Sequence, residues 1–145
     1  MIPKETLDTL ANEICWNEVK DQDVNSHSLT GERTRGVVDV LNKARLFNTD
    51  TKVAEVVCGR LIGNVELHED SSFMDVDKRK DEVLLIVLDE GDVLPHTDSS
   101  RESYMYFNGK LERITKGDVL WFNARNSHAV FPRSSLTYLT VWFSC

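Results

Sequence analysis

One of the chain's four histidines stands in Pro95-His96-Thr97-Asp98. His96 and Asp98 are two residues apart in a stretch, 93 to 98, that reads as a β-strand. Their side chains would leave the same face of that strand. His128 follows thirty residues after Asp98, at the start of another strand pattern. Two imidazoles and one carboxylate on one face of a divalent metal leave the opposite coordination positions open for reactants. That donor set suits ferrous iron, and Asp98 offsets one of its two charges. The candidate metal ligands, and with them the candidate catalytic residues, are therefore His96, Asp98 and His128. A bare H-x-D is a weak signal, but its context adds to it. The apolar run 83 to 88 precedes it, a hairpin separates it from His128, and His128 follows a Gly117-Asp118 turn and an apolar strand. The other reading makes His96 a capped turn residue and His128 a core histidine. His27 and His68 lie in polar surroundings without partner spacing and read as surface residues.

The elements that must position these residues are legible in outline. Residues 3 to 14 predict an amphipathic helix, with Pro3 at its first turn and Leu7, Leu10, Ala11 and Ile14 on one stripe. Residues 17 to 30 are polar and read as a loop. Thr30 suits the cap of a second helix reaching Phe47, with Val37, Val38, Leu41 and Ala44 on one face and Gly36 weakening it. From 52 the pattern turns β-like. Strands are expected at 52 to 58 and 62 to 67, with Gly59 and Gly63 as punctuation. The charged stretch 69 to 82 reads as a surface loop. The continuous apolar run 83 to 88 predicts a strand buried on both faces. Strands at 103 to 107 and 110 to 114 meet across Asn108-Gly109, the strongest short hairpin signal. Further strands are expected at 119 to 122, 128 to 131 and 136 to 143. The fold class is thus mainly β with N-terminal helices (α+β), a sandwich or jelly roll. A single domain over 1 to 145 is expected, with helices over 1 to 50 packing on a β-core over 52 to 145.

Composition narrows the function classes. No apolar run approaches the roughly 20 residues of a membrane span, and no basic-then-apolar segment opens the chain. The three cysteines, Cys15, Cys58 and Cys145, form no CxxC pair. A zinc ribbon or disulfide scaffold is disfavoured, and a reducing cytoplasmic setting is expected. The net charge of -7 does not favour nucleic acid as a partner, because phosphate contacts need a basic surface.

Gly91-Asp-Val-Leu-Pro-His96-Thr-Asp98-Ser-Ser-Arg101, with Gly117-Asp-Val-Leu-Trp-Phe-Asn-Ala-Arg-Asn-Ser-His128-Ala-Val, resembles the Fe(II)/2-oxoglutarate-dependent dioxygenases. The prolyl- and aspartyl-hydroxylase-like branches are the most similar. The resemblance covers about residues 83 to 143. It implies a double-stranded β-helix, Fe(II) held by His96, Asp98 and His128, and 2-oxoglutarate as co-substrate. That family anchors the distal carboxylate of 2-oxoglutarate with an arginine about ten residues after the last histidine, and a serine or threonine follows two residues later. Here those places hold Tyr138 and Thr140. The need is for a cation, since a guanidinium pairs a carboxylate bidentately. Arg133, on the turn before the last strand, is one candidate for it, and Arg101 and Arg125 are others. Alternatively Tyr138 and Thr140 bind by hydroxyls alone, or Arg133 is an exposed turn residue. Tyr104 and Tyr106 are candidates to reach the pocket from a neighbouring strand. Trp121 and Trp142 read as core.

Two other functions stay open on this scaffold. One is a cupin-like metal enzyme that does not use 2-oxoglutarate: Gly117 to His128 has the spacing of the second cupin motif, but Asn123 and Arg125 replace its proline and glycine. The other is a non-catalytic binding or inhibitory protein. As an oxygenase, the chain would hydroxylate a prime substrate that its sequence leaves open among a peptide side chain, a nucleobase and a small molecule.

Overall fold

The computed structural model describes residues 2–13, 27–28, 32–47, 52–62, 64–68, 79–91 and 102–144. Its elements in chain order are α1 (Lys4–Glu13), β1 (His27–Ser28), α2 (Glu32–Lys43), β2 (Val53–Ile62), β3 (Val65–His68), β4 (Arg79–Glu90), β5 (Ser103–Phe107), β6 (Lys110–Ile114), β7 (Val119–Asn123), β8 (His128–Phe131) and β9 (Ser135–Ser144). The strands form two antiparallel sheets. One has the order β1-β2-β9-β4-β7 and the other β3-β8-β5-β6. Successive strands from β2 onward alternate between the sheets, apart from the β5–β6 hairpin. This is a double-stranded β-helix, the jelly roll expected from the sequence.

The apolar run in β4 shows how the layers are built. Leu84, Ile86 and Leu88 face outward and pack with Val56, Leu139, Val141 and Phe143 against Leu7 and Leu10 of α1 and Val37 and Leu41 of α2. Val83, Leu85 and Val87 face inward and meet Met105, Phe107, Ile114, Val130, Leu136 and Trp142 between the sheets. A strand covered on both faces loses the polar alternation of a half-exposed one. The sequence-predicted helices therefore cover one sheet from outside. α2 ends where Arg45 takes a left-handed φ of 58°. There the Leu46 amide reaches back to the Leu41 carbonyl and the Arg45 amide to that of Asn42. This pattern satisfies the last carbonyls, here with arginine where glycine is usual.

The hairpin expectation holds in detail. Asn108 and Gly109 have φ of 51° and 78°, the pair of positive values that a type I′ turn requires. Four expectations are corrected. The strand expected at 52 to 58 runs through Gly59 to Ile62, because Gly59 lies opposite Tyr138 in the ladder and serves strand packing, not a turn. The strand expected at 62 to 67 is the shorter β3. The loop expected over 69 to 82 ends by Arg79, which pairs with Ser144, a long-range partner that local charge does not reveal. Trp121 is not core: it is 38% exposed and stacks on Phe143, centroids 5.6 Å apart, on the outer face. The strand expected at 93 to 98 lies outside the described residues. Among the described residues, no helix is long and apolar enough to cross a membrane.

Candidate functional site

His128 is the first residue of β8 and is buried. The turn that delivers it is set by Asn123, whose side-chain oxygen accepts the Arg125 amide at 2.9 Å while its carbonyl accepts the Asn126 amide at 3.1 Å. Asparagine favours such turns because its side chain can stand in for a backbone acceptor. The Asn126 carbonyl then lies 2.9 Å from His128 Nδ1. A carbonyl only accepts, so Nδ1 carries a hydrogen, and the neutral ring then has its lone pair on Nε2. A backbone carbonyl fixing one ring nitrogen is the usual way in which a ligating imidazole is oriented. The Phe122 ring packs against the imidazole with centroids 4.9 Å apart.

The partner of His128 across the ladder is His68. β3 and β8 are antiparallel, with Val65 opposite Val130 and His68 opposite His128. Three residues of β3 are thus matched by two of β8. The extra residue is a bulge, and it brings positions 65 and 68 both opposite inward-facing residues of β8. The sequence alone reads His68 as a surface residue, and nothing described of its side chain tests that; His68-Glu69-Asp70 repeats the H-x-D spacing of His96-Thr97-Asp98. Asp70 lies outside the described residues.

So do His96, Asp98 and Arg101, but the segment carrying them is flanked by described residues. The Gly91 amide donates to the Ser135 carbonyl at 2.8 Å. Arg133 donates through Nε to the Gly91 carbonyl at 2.8 Å and through its amide to Ser103 Oγ at 3.1 Å. Both flanks are therefore fastened to the β8–β9 turn, at the end of β8 away from His128. Among the described residues, no group of three His, Cys, Asp or Glu side chains is placed to hold a metal.

Of the expected co-substrate residues, two face inward. On β9, Leu136 and Trp142 belong to the core between the sheets, and alternation puts Tyr138 and Thr140 on that face with them. Thr140 Oγ1 accepts the Trp142 Nε1 hydrogen at 3.1 Å and donates to the Val57 carbonyl at 3.4 Å. Tyr138 is half-buried. Tyr104 is 37% exposed and alternates with buried Ser103, Met105 and Phe107, so it and Tyr106 leave the other face of β5. Tyr104 does not enter the interior, because the inward positions of its strand belong to the odd-numbered residues. Arg125 is exposed on the turn before His128.

These donors fit iron as far as they are described: a buried imidazole whose Nδ1 is held by a backbone carbonyl, and a second histidine at the opposed position. Among the described residues, the inward positions of β2, β4 and β9 that flank Tyr138 carry no cation.

No family model matches the chain, and no curated protein matches it. Solved structures do. A collagen prolyl hydroxylase of Paramecium Bursaria Chlorella virus-1, solved as its 2OG complex, is 12% identical over 99% of this chain and 91% of that one, with a TM-score of 0.62. A Pseudomonas putida prolyl-4-hydroxylase is 19% identical over 99% of this chain and 88% of that one, with a TM-score of 0.59. Protein NMB1881 from Neisseria meningitidis is 10% identical over 89% of this chain and 95% of that one, with a TM-score of 0.51. At these identities the likeness is one of fold, and the fold that the chain shares with the two prolyl hydroxylases is the double-stranded β-helix.

Proposed function

We propose that the chain is an Fe(II)-dependent oxygenase that hydroxylates a C–H bond with O2 and a 2-oxo acid. The observation that carries this reading is the register of β3 on β8, which sets position 68 directly opposite His128. Directly opposed residues of an antiparallel pair share one face and lie about 5 Å apart at Cβ, close enough for two imidazoles to meet on one metal. In this reading His68 and His128 supply the two nitrogens, and Asp70, two residues beyond His68, supplies the carboxylate. His96 and Asp98 are the competing pair. The register of β3 on β8 is the observation that favours His68 and Asp70 in this reading.

Bound iron would supply the chemistry that couples loss of CO2 from the 2-oxo acid, leaving a carboxylic acid one carbon shorter, to insertion of the other O2 oxygen into the substrate C–H bond. The chain's own part is more limited. The Asn126 carbonyl holds the hydrogen of Nδ1, so that the neutral ring would offer Nε2 to the metal. Phe122 backs the ring and holds its plane. The apolar inward face keeps bulk water from the site.

The test is anaerobic titration of the purified chain with Fe(II), followed by a 2-oxo acid. One tightly bound iron per chain and a weak visible charge-transfer band on adding the acid are expected. Absence of iron binding would overturn the reading. Iron binding without the band for any 2-oxo acid would leave a metal protein of cupin-like chemistry.

A further inference from the structure

We infer that β6 pairs edge to edge with β6 of a second copy of this chain, in one register centred on Leu111. The inference goes beyond the oxygenase reading and does not depend on it.

β6 ends the sheet order β3-β8-β5-β6, and Lys110, Leu111, Glu112 and Arg113 along it are all exposed. Among the described residues it is the most regular of the sheet edges. β1 has two residues, β3 is bulged, and on β7 the Trp121 carbonyl accepts a hydrogen from Asn108 Nδ2 at 3.2 Å. β6 pairs with β5 without a break from Lys110 to Ile114. The tight turn makes Phe107 and Lys110 the closing hydrogen-bonded pair. Lys110, Glu112 and Ile114 therefore aim their amides and carbonyls at β5, and Leu111 and Arg113 aim theirs at the open edge. The faces alternate in step. Lys110 and Glu112 lie opposite the core residues Phe107 and Met105, on the inner face. Leu111 and Arg113 lie opposite Tyr106 and Tyr104, on the outer face.

Inward charges on an edge strand ordinarily keep a neighbour away. Here they have opposite signs, and their spacing decides which neighbour fits. Two copies related by a two-fold axis set Leu111 opposite Leu111, Leu111 opposite Arg113, or Arg113 opposite Arg113, because these residues carry the edge-facing backbone groups. The second register puts Glu112 against Glu112. The third puts two guanidinium groups together and Glu112 against the apolar Ile114. The first sets Lys110 opposite Glu112 on both sides of the axis, so each inward charge gains a counter-charge. It also covers Leu111, 60% exposed in the single chain, with its twin. Arg113 then comes beside Gly109, where a Cβ would meet nothing within 4 Å. Unlike charges directly opposite stabilise a strand pair and like charges destabilise it, so the charge pattern selects the first register.

The experiment is sedimentation equilibrium of the full chain at low salt. A reversible dimer with a Kd on the order of 1 to 100 μM is expected, the range of a small interface. Glu112→Lys and Lys110→Glu should each weaken self-association about ten- to a hundredfold, because each turns both unlike pairs into like pairs. Mixed in equal amounts, the two variants should form a heterodimer about as tight as the wild-type dimer, since their charges are then complementary. Both positions are exposed, where substitutions cost little stability. The wild-type series stands even where a variant does not fold. A wild type that stays monomeric up to about 1 mM overturns the inference and makes the charges of β6 a guard against pairing. A dimer unchanged in both single variants, or folded variants that do not recombine, overturns it as well.

Discussion

Removing histidines one at a time decides which of them hold the metal, and the size of the effect follows from linkage. A metal that binds only the folded chain stabilises it by about 2.7 kcal/mol when supplied at about 100 times its Kd. Unfolding entropy of about 2.1 cal/mol/K per residue, over 145 residues, is about 0.3 kcal/mol/K. The wild type should therefore melt about 9 °C higher with Fe(II), or with redox-inert Mn(II), than with chelator present. Losing a hydrogen-bond partner of a ligand typically weakens metal binding ten- to a hundredfold, and losing the ligand itself weakens it by at least about a hundredfold. At the same metal concentration the stabilisation then falls to about 0.4 kcal/mol, or about 1 °C. His68→Ala and His128→Ala should thus lose nearly the whole metal-induced shift, and His96→Ala should keep it. The assay is a thermal melt by circular dichroism, run with metal and with chelator for every variant, so that any change in the apo fold cancels. A shift retained in His68→Ala and lost in His96→Ala would refute the register argument and restore His96 as ligand. A shift retained in His128→Ala would refute the site altogether.

Three further outcomes are expected. Arg133→Ala removes the bond from Nε to the Gly91 carbonyl and should cost about 1 to 2 kcal/mol in urea unfolding, while affinity for a 2-oxo acid changes less than about twofold; a large loss of affinity would make Arg133 the anchor. Gly91→Ala would drive a Cβ into Ser134 and Ser135 Oγ and to 2.8 Å from the Ser135 amide nitrogen, so a loss of about 1 to 3 kcal/mol is expected, and an unchanged unfolding midpoint would show that the turn yields freely. Leu139→Ala empties a fully buried position under the helices and should cost about 2 to 5 kcal/mol, whereas Leu111→Ala, at a side chain 60% exposed, should stay within about 0.5 kcal/mol.

Much of the architecture is local in origin, and the sequence by itself determines it. The 83 to 88 run is apolar at every position, which only a strand with cover on both faces tolerates, and β4 has that cover from α1 and α2 outside and the second sheet inside. Asn108-Gly109 specifies its turn because both residues accept positive φ. The Leu7–Leu10 and Val37–Leu41 spacings set which helix faces are buried. His128 is likewise readable as an inward histidine after a turn. Its partner is not. Two H-x-D triplets occur in this chain, at 68 and at 96, and no local pattern ranks them. The difference lies in a register between β3 and β8, strands some sixty residues apart, and in one bulge that brings position 68 opposite His128. The same holds for Tyr138 and Tyr104: both sit in β patterns, and only the pairing of their strands puts one inside the barrel and the other outside. Alternation along a strand is set by neighbours in sequence. Which face becomes the interior, and which position lies opposite His128, is set by cross-strand pairing between distant segments, and that is decided only when the barrel closes.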